Sequence, residues 1–288
     1  MDDWKEANTH LRILRDAEAG GYGVMATISY NIEQVKGMIR AAEIARSPLI
    51  LQFFPWVITT YDGMLVRAAA EEAKRASVPI SIHLDHAQSE ELIERAAELP
   101  FDSIMVDMSH HEKEDNLRKT RHWVRHCNER HIVTEAEPGR IEGGEDGVMD
   151  TAGLEARFTT AEEVDEFAAT GVDTLAPSFG NVHGEYGPQG PRLDFESIRF
   201  AKVRERANGR VRLAVHGTNG FSPELMKQCV AAGCCKINVN RCVLDDYYEH
   251  LRANAGKMPH TQLIEEGMEK VTQATIKWME IIGSVGRA

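Results

Sequence analysis

Six short stretches of this sequence set side chains that bind metals or move protons against apolar runs. They are His83-Leu84-Asp85-His86, Asp107-Met108-Ser109-His110-His111, Glu135 with Glu137, Gly180-Asn181-Val182-His183-Gly184, His216-Gly217, and Lys236 with Asn238. Three imidazoles aimed at one point suit Zn²⁺, whose catalytic sites take three protein ligands and keep one position open. His86, His183 and His216 are the candidate ligands, with Glu137 as a fourth or alternative one. Glu135 and Glu137 stand two apart and so share one face of a strand. His83 reads as a packing or supporting residue. His110, His111, His122, His126 and His131 fall on or beside a helix and read as solvated.

Convergence requires elements that bring these stretches together. Eight short apolar segments recur: Tyr22 to Ile28, Pro48 to Phe54, Pro79 to Leu84, Asp102 to Val106, Ile132 to Glu137, Asp173 to Ser178, Val211 to Val215 and Cys234 to Val239. Helical spacing follows several of them, as in Ile32 to Arg46 (Val35, Ile39, Ala42) and Met64 to Ser77. Ser89 before Glu90-Glu91, and Ser222-Pro223-Glu224, are helix-start signals. Eight strand–helix alternations predict a single α/β domain over residues 1–288, a (β/α)8 TIM barrel with extra helices after Asp245. Those last helices are expected to cap the barrel or meet another subunit. Active sites of this architecture lie at the C-terminal ends of the strands, where every stretch named above falls. The one long insertion, Pro138 to Phe158, is rich in glycine and acid, and such loops tend to be functional.

Composition narrows the partners. The 288 residues carry 45 acidic against 33 basic side chains, a formal charge of −12. Such a balance disfavours nucleic acid and anionic membranes, but leaves room for a small phosphorylated ligand held by backbone amides. The five cysteines have no CxxC spacing and read as reduced, buried thiols. The N-terminus is charged and lacks an apolar core, and no run is long enough to span a bilayer. A cytoplasmic protein is expected.

These motifs resemble the class II, zinc-dependent fructose-bisphosphate and tagatose-bisphosphate aldolases, from about Tyr22 to Val243. The resemblance rests on His83 to His86, Val106 to His110, Glu135-Ala136-Glu137-Pro138-Gly139 with Gly143 to Val148, Phe179 to Gly184, Val215-His216-Gly217 and Lys236-Ile237-Asn238. It implies one Zn²⁺ per chain on His86, His183 and His216, with Glu137 as an additional or alternative ligand. Asp85 would move a proton at the substrate hydroxyl, and Asn238 would hydrogen-bond the enediolate or a hydroxyl. Glu145 corresponds to the acid that protonates the enediolate carbon. Gly184, Gly217, Asn219, Asn240 and Arg241 fall where the family binds substrate. A ketose phosphate, by default fructose 1,6-bisphosphate giving dihydroxyacetone phosphate and glyceraldehyde 3-phosphate, would be the substrate of a homodimer or homotetramer.

The substrate side departs from the family's pattern. Asn219 replaces a serine, and Asn240-Arg241 replaces an acid–threonine pair. Gly187 stands in place of a lysine whose backbone helps bind a monovalent cation, so that cation is a possible further cofactor. Phe54 replaces a small hydroxyl residue, and Ala26-Thr27-Ile28 replaces Ala-Phe-Asn. A different ketose or keto acid is therefore an alternative substrate. Two further alternatives are a metal-holding relative without catalysis and a Schiff-base aldolase using Lys236, which leaves three histidines unexplained.

Overall fold

The computed structural model of the chain describes residues 3–146, 148, 150, 154–195 and 199–288. Eight parallel strands close into a barrel in sequence order, β8 pairing back onto β1. They are β1 (Val24–Ile28), β2 (Leu49–Phe53), β3 (Ile80–Ala87), β4 (Ser103–Val106), β5 (Val133–Ala136), β6 (Thr174–Leu175), β7 (Arg212–Val215) and β8 (Cys234–Val239). Seven of the eight expected apolar segments contain their strand, and β3 runs three residues past the expected Leu84, to Ala87. Pro48 and Pro79 fall just outside β2 and β3, as residues without an N–H to donate must.

The helices are α1 (Asp3–Ala7), α2 (Thr9–Gly20), α3 (Ile32–Ala45), α4 (Trp56–Tyr61), α5 (Met64–Arg75), α6 (Glu90–Ala97), α7 (Lys113–Asn128), α8 (Ala161–Ala168), α9 (Arg199–Ala207), α10 (Pro223–Ala232), α11 (Arg241–Asn254) and α12 (His260–Ile282). Ser89 and Ser222 cap α6 and α10 as their sequences predict, accepting from Leu92 N and Leu225 N. The sequence reading did not anticipate α1 and α2. Ile13, Leu14 and Ala17 of α2 pack on Val24, Ala26, Ile50 and Cys235, so α2 seals the end of the barrel where the strands begin. That inner layer is apolar, while the opposite end of the interior carries the polar residues. The outer faces of the strands and the surrounding helices form the main core.

The C-terminal helices do not cap the mouth. α12 packs along α3 and α11 and completes the outer ring over β1. Thr272 Oγ1 donates to Gly37 O at 3.0 Å, and Gly23 N, leading into β1, donates to Ile282 O at 3.0 Å. The apolar side of α12, including Val271, Met279 and Ile282, is buried within the chain. Among the described residues no helix is long and apolar enough to cross a membrane. All five cysteines are free, four of them buried.

Gly37 sets how closely α3 approaches α12. A Cβ there would sit 2.9 Å from Met268 O and 3.1 Å from Val271 Cβ. Gly37→Ala should therefore destabilise the fold by about 1–3 kcal/mol, as overpacking does. Thermal unfolding reads this, and an unchanged midpoint would show that the two helices are free to part.

Candidate active site

β3 solves a geometric problem for the site. Successive residues of a strand point to opposite faces, yet Asp85 and His86 are neighbours that both reach the mouth. The register of β3 against β4 shifts between Leu84 and Ala87, and His86 has φ +51°. A left-handed conformation is costly for histidine, and such strain persists only where surrounding contacts enforce it. Here Asp107, from the end of β4, holds His86: Nδ1 donates to Asp107 Oδ2 at 2.8 Å. Asp107 Oδ1 in turn accepts from Ser109 N and Oγ at 3.1 and 2.7 Å.

His216, at the end of β7, is held the same way. Its Nε2 lies 2.8 Å from Glu135 Oε1 on β5. His183 comes from the loop after β6, whose backbone packs on Gly217. A Cβ on Gly217 would stand 2.3 Å from Val182 O, and its φ is +68°, so only glycine fits. Asn181 Nδ2 donates to His216 O at 3.2 Å and joins the two loops.

The three imidazoles meet. Candidate ligand atoms of His86, His183 and His216 lie within 4.8 Å of one another, and all three residues are buried. His86 Nε2 and His216 Nδ1 are 3.3 Å apart. Two nitrogens bound tetrahedrally to zinc at ~2.0–2.1 Å would be separated by about 3.3–3.4 Å. His183 Nε2 is buried without a hydrogen-bond partner. His86 and His216, each with one nitrogen fixed by a carboxylate and the other turned toward the shared centre, have the arrangement of metal-binding histidines. Glu137 forms a second potential group with His86 and Asp107. Its Oε1 accepts from Ile141 N at 2.7 Å, while Oε2 is buried and unpartnered.

Electrostatics agree with a cation. Burial would depress His86, but Asp85 and Asp107 outweigh it and raise its pKa to about 10. Burial, then the neighbouring His86 and His216, hold His183 well below the usual imidazole value. Burial and Asp107 push Glu137 up to about 8. Near neutral pH the ionised Asp85, Asp107 and Glu135 thus face two positive charges, Lys236 and protonated His86. Replacing the His86 proton by a divalent ion cancels the remaining negative charge.

Beneath the imidazoles lies a buried polar chain. Lys236 Nζ is 2.9 Å from Glu135 Oε2 and donates to Asn238 Oδ1 at 2.8 Å. Asn238 Nδ2 donates to Asp85 Oδ2 at 3.1 Å, and Gln52 Nε2 donates to the same oxygen at 3.2 Å. Asp85 Oδ1 stays buried and makes no hydrogen bond, with His83 Nε2 3.8 Å away. Burial opposes the charge of Asp85, but His86 and His216 outweigh it and keep its pKa well below the carboxylate range. His83 supports this layer, contacting Ser103 Oγ at 2.9 Å and stacking on His10 of α2 at 5.2 Å. Lys236 is committed to Glu135 and Asn238 and does not line the cavity, which removes the motive for a Schiff-base reading.

A cavity opens above, lined by Ile28, Phe54, Asp85, Glu145, the three histidines, Gly217 to Asn219 and Asn238 to Asn240. Glu145, from the insertion after β5, reaches into it. Its Oε1 accepts from Asn219 Nδ2 at 3.3 Å and its Oε2 from Asn240 Nδ2 at 3.0 Å, with the Gly184 amide as a further donor. Gly147, within the Gly143 to Val148 motif, lies outside the described residues. Arg241 is not brought in. It opens α11 half-exposed, with its guanidinium taken by Glu185 and Asp245.

Sequence reading left Asp107, Glu135, Gln52 and His10 without roles. Asp107 ends β4 as Asp85 nearly ends β3, so position alone could have marked it. Gln52 is the one polar residue of Leu49-Ile50-Leu51-Gln52-Phe53, a signal of an inward polar contact. Nothing in α2 marks His10.

This is a (β/α)8 barrel whose mouth gathers three histidines that could hold a metal ion, with buried carboxylates around them. The family model "Fructose-bisphosphate aldolase class-II" matches residues 8–287. A relative from Coccidioides immitis, provisionally named a fructose-bisphosphate aldolase, is 49% identical over 98% of this chain and 96% of its own. A crystal structure from the same organism, under a similar provisional name, superposes with a TM-score of 0.95 at 50% identity, covering 98% of both chains. The fructose-bisphosphate aldolase of Thermus caldophilus is 33% identical over 97% of this chain and 99% of its own. The chain belongs to the class II fructose-bisphosphate aldolase family, whose lyases work with a divalent metal.

Two outcomes test the site. Asp107→Asn and Glu135→Gln should each weaken metal binding by about 10–100-fold, the usual cost of losing a ligand's outer partner. Because His86 holds a proton until about pH 10 without metal, metal uptake must expel it, and affinity should rise with pH. Calorimetry in buffers of different ionisation heat should show about one proton released between pH 8 and 9. If Glu137 also ligates, a second proton should appear as pH falls through about 8 and vanish in Glu137→Gln. Affinity independent of pH would sink the assignment of His86.

Proposed function

We propose that the chain is a Zn²⁺-dependent aldolase that cleaves, or forms, the carbon–carbon bond of an anionic ketose. The observation that carries this is the meeting of three imidazoles with Asp85, whose Oδ1 makes no hydrogen bond, in one cavity. His86, His183 and His216 hold the ion, and Glu137 is an additional or alternative ligand. When bound, the ion supplies Lewis acidity that polarises the ketone and stabilises negative charge developing on its oxygen.

The chain's own residues do the rest. Asp85, ionised and fixed through Oδ2 by Asn238 and Gln52, takes the proton of the substrate hydroxyl through its free Oδ1 as the bond breaks. Asn238 is oriented by Lys236, so its amide nitrogen faces Asp85 and His216 at the floor of the cavity. Glu145 protonates the carbon left by cleavage. Burial raises its pKa, and the hydrogen bond from Asn240 opposes that shift. Gly184, Gly217, Asn219 and Asn240 bind the substrate's anionic end. Arg241 joins them only by leaving Glu185 and Asp245.

Fructose 1,6-bisphosphate is the substrate in the relatives' names and the reference to test. A second reading keeps the chemistry and changes the substrate to another ketose or keto acid. It is favoured by Ile28 and Phe54, apolar side chains on the cavity wall, and by Asn219 and Asn240 on the other side. A homodimer or homotetramer in the cytoplasm, binding neither nucleic acid nor membrane, completes the proposal, with a monovalent cation near the Gly184 to Gly187 turn.

Purified, zinc-loaded protein should release triose phosphate from fructose 1,6-bisphosphate, and chelation should abolish this. Asp85→Asn should lower kcat by about 10²–10⁴-fold, the range for a lost proton-transfer group, while zinc content stays near one per chain. Cleavage that survives chelation would overturn the metal mechanism. Zinc binding without cleavage of this sugar would favour the second reading.

A further inference from the structure

His83 neither belongs to the three candidate ligands nor lines the cavity, yet it is fully buried. Its ring is set from two sides. Nδ1 lies 2.9 Å from Ser103 Oγ on β4, and the ring stacks at 5.2 Å on His10 of α2. His10 is anchored in turn, its Nδ1 2.9 Å from Ser81 Oγ. Burial, then the charge of Lys236, lowers the pKa of His83, so its imidazole is neutral. A neutral ring that accepts the Ser103 hydroxyl at Nδ1 carries its proton on Nε2.

That N–H meets no acceptor directly. Asp85 Oδ1 and Glu135 Oε2 each stand 3.8 Å from Nε2, beyond hydrogen-bond range. Candidate ligand atoms of these three residues lie within 4.8 Å of one another. The triangle is too wide for direct bonds and suits one water, about 2.7–3.0 Å from each corner. A water there accepts from Nε2–H and donates one hydrogen to each carboxylate, which satisfies Asp85 Oδ1. A second metal ion is disfavoured, because Lys236 Nζ, 2.9 Å from Glu135 Oε2, already brings a positive charge.

We propose that His83 is a positioning residue for the reaction, holding Asp85 through one buried water shared with Glu135. Asn238 and Gln52 pin only Oδ2 of that carboxylate. The water fixes Oδ1 and leaves its other lone pair to the substrate hydroxyl. Ser103 and His10 act one step further back, by fixing the plane of the His83 ring. This rests on the reading of Asp85 as the group that takes the hydroxyl proton.

Crystals of the zinc-loaded full chain should show a water within about 3.2 Å of His83 Nε2, Asp85 Oδ1 and Glu135 Oε2. In His83→Leu the Asp85 carboxylate should turn, whereas His83→Gln keeps a donor near the same place and should hold it. In cleavage of fructose 1,6-bisphosphate, His83→Leu should lower kcat by about 10–100-fold, the cost of a misplaced reacting group. KM and zinc content should stay at their wild-type values, and His83→Gln should restore most of kcat. Exchange of a hydroxymethyl proton of dihydroxyacetone phosphate for deuterium calls on Glu145 and the ion but not on Asp85. It should therefore persist in His83→Leu, whereas a general loosening of the site would slow it too. In an Asp85→Asn background His83→Leu should cost little more, because the two residues act as one.

No water at that position, or an Asp85 that keeps its place and its kcat in His83→Leu, would overturn the proposal and leave the aldolase intact. So would exchange slowed as much as cleavage. A wild-type protein that neither exchanges nor cleaves would count against the aldolase reading itself, and the crystal structures would still decide whether His83 holds Asp85.

Discussion

Glu135 sits on the inner face of β5 without solvent contact, and the catalytic end of the barrel is organised around its charge. Burial opposes ionisation, yet Lys236 and His216 reverse that penalty and hold the carboxyl far below its usual range. Its oxygens divide between His216 on Oε1 and Lys236 on Oε2, with His83 Nε2 farther from Oε2 at 3.8 Å. The pair is weak evidence for stability, because two buried charges cost much of what their attraction returns. Its value is positional. Lys236 fixes Asn238, Asn238 fixes Asp85, and Glu135 turns His216 so that its other nitrogen faces His86. Removing one partner would strand a charge in the barrel and loosen every polar contact above it.

The same logic explains why α2 closes the far end. A barrel interior with Glu135, Lys236, His83 and Asp85 near its middle cannot also admit water from below without weakening their mutual attraction. The apolar layer of Val24, Ala26, Ile50 and Cys235, with Ile13 and Leu14 over it, supplies that seal. His10 projects from the sealing helix to Ser81 and His83, linking the seal to the polar layer.

Much of this was legible in the sequence, for physical reasons that differ from part to part. A strand buried on both faces must be apolar, so eight strands stood out. Polar residues tolerated at their ends marked the mouth, which located His86, His183, His216, Asp85 and Asn238. What stayed hidden depends on register across the barrel. That Glu135 faces Lys236 follows from how β5 and β8 stand across the closed ring, which no local pattern encodes. The shift of β3 and the left-handed His86 are likewise invisible in His83-Leu84-Asp85-His86, where simple alternation would send Asp85 and His86 apart. Arg241 falls where the family binds substrate, yet it pairs with Glu185 and Asp245, because helix-opening position says nothing about charges on a neighbouring loop.

The two halves of the cavity are under different constraints. On the metal half two of the three candidate histidines have a carboxylate behind them, so a change there disturbs charge balance as well as geometry. Asp107 behind His86 and Glu135 behind His216 leave little freedom to vary. On the other half Asn219, Asn240, Phe54 and Ile28 contact the cavity without carrying any buried charge. Neutral side chains there can be exchanged at modest cost to the fold, and the exchange alters which anion and which chain length fit. A barrel that fixes its chemistry through buried ion pairs can therefore change its substrate through neutral residues alone. In this chain Asn219 and Asn240 stand among those neutral residues, against Glu145.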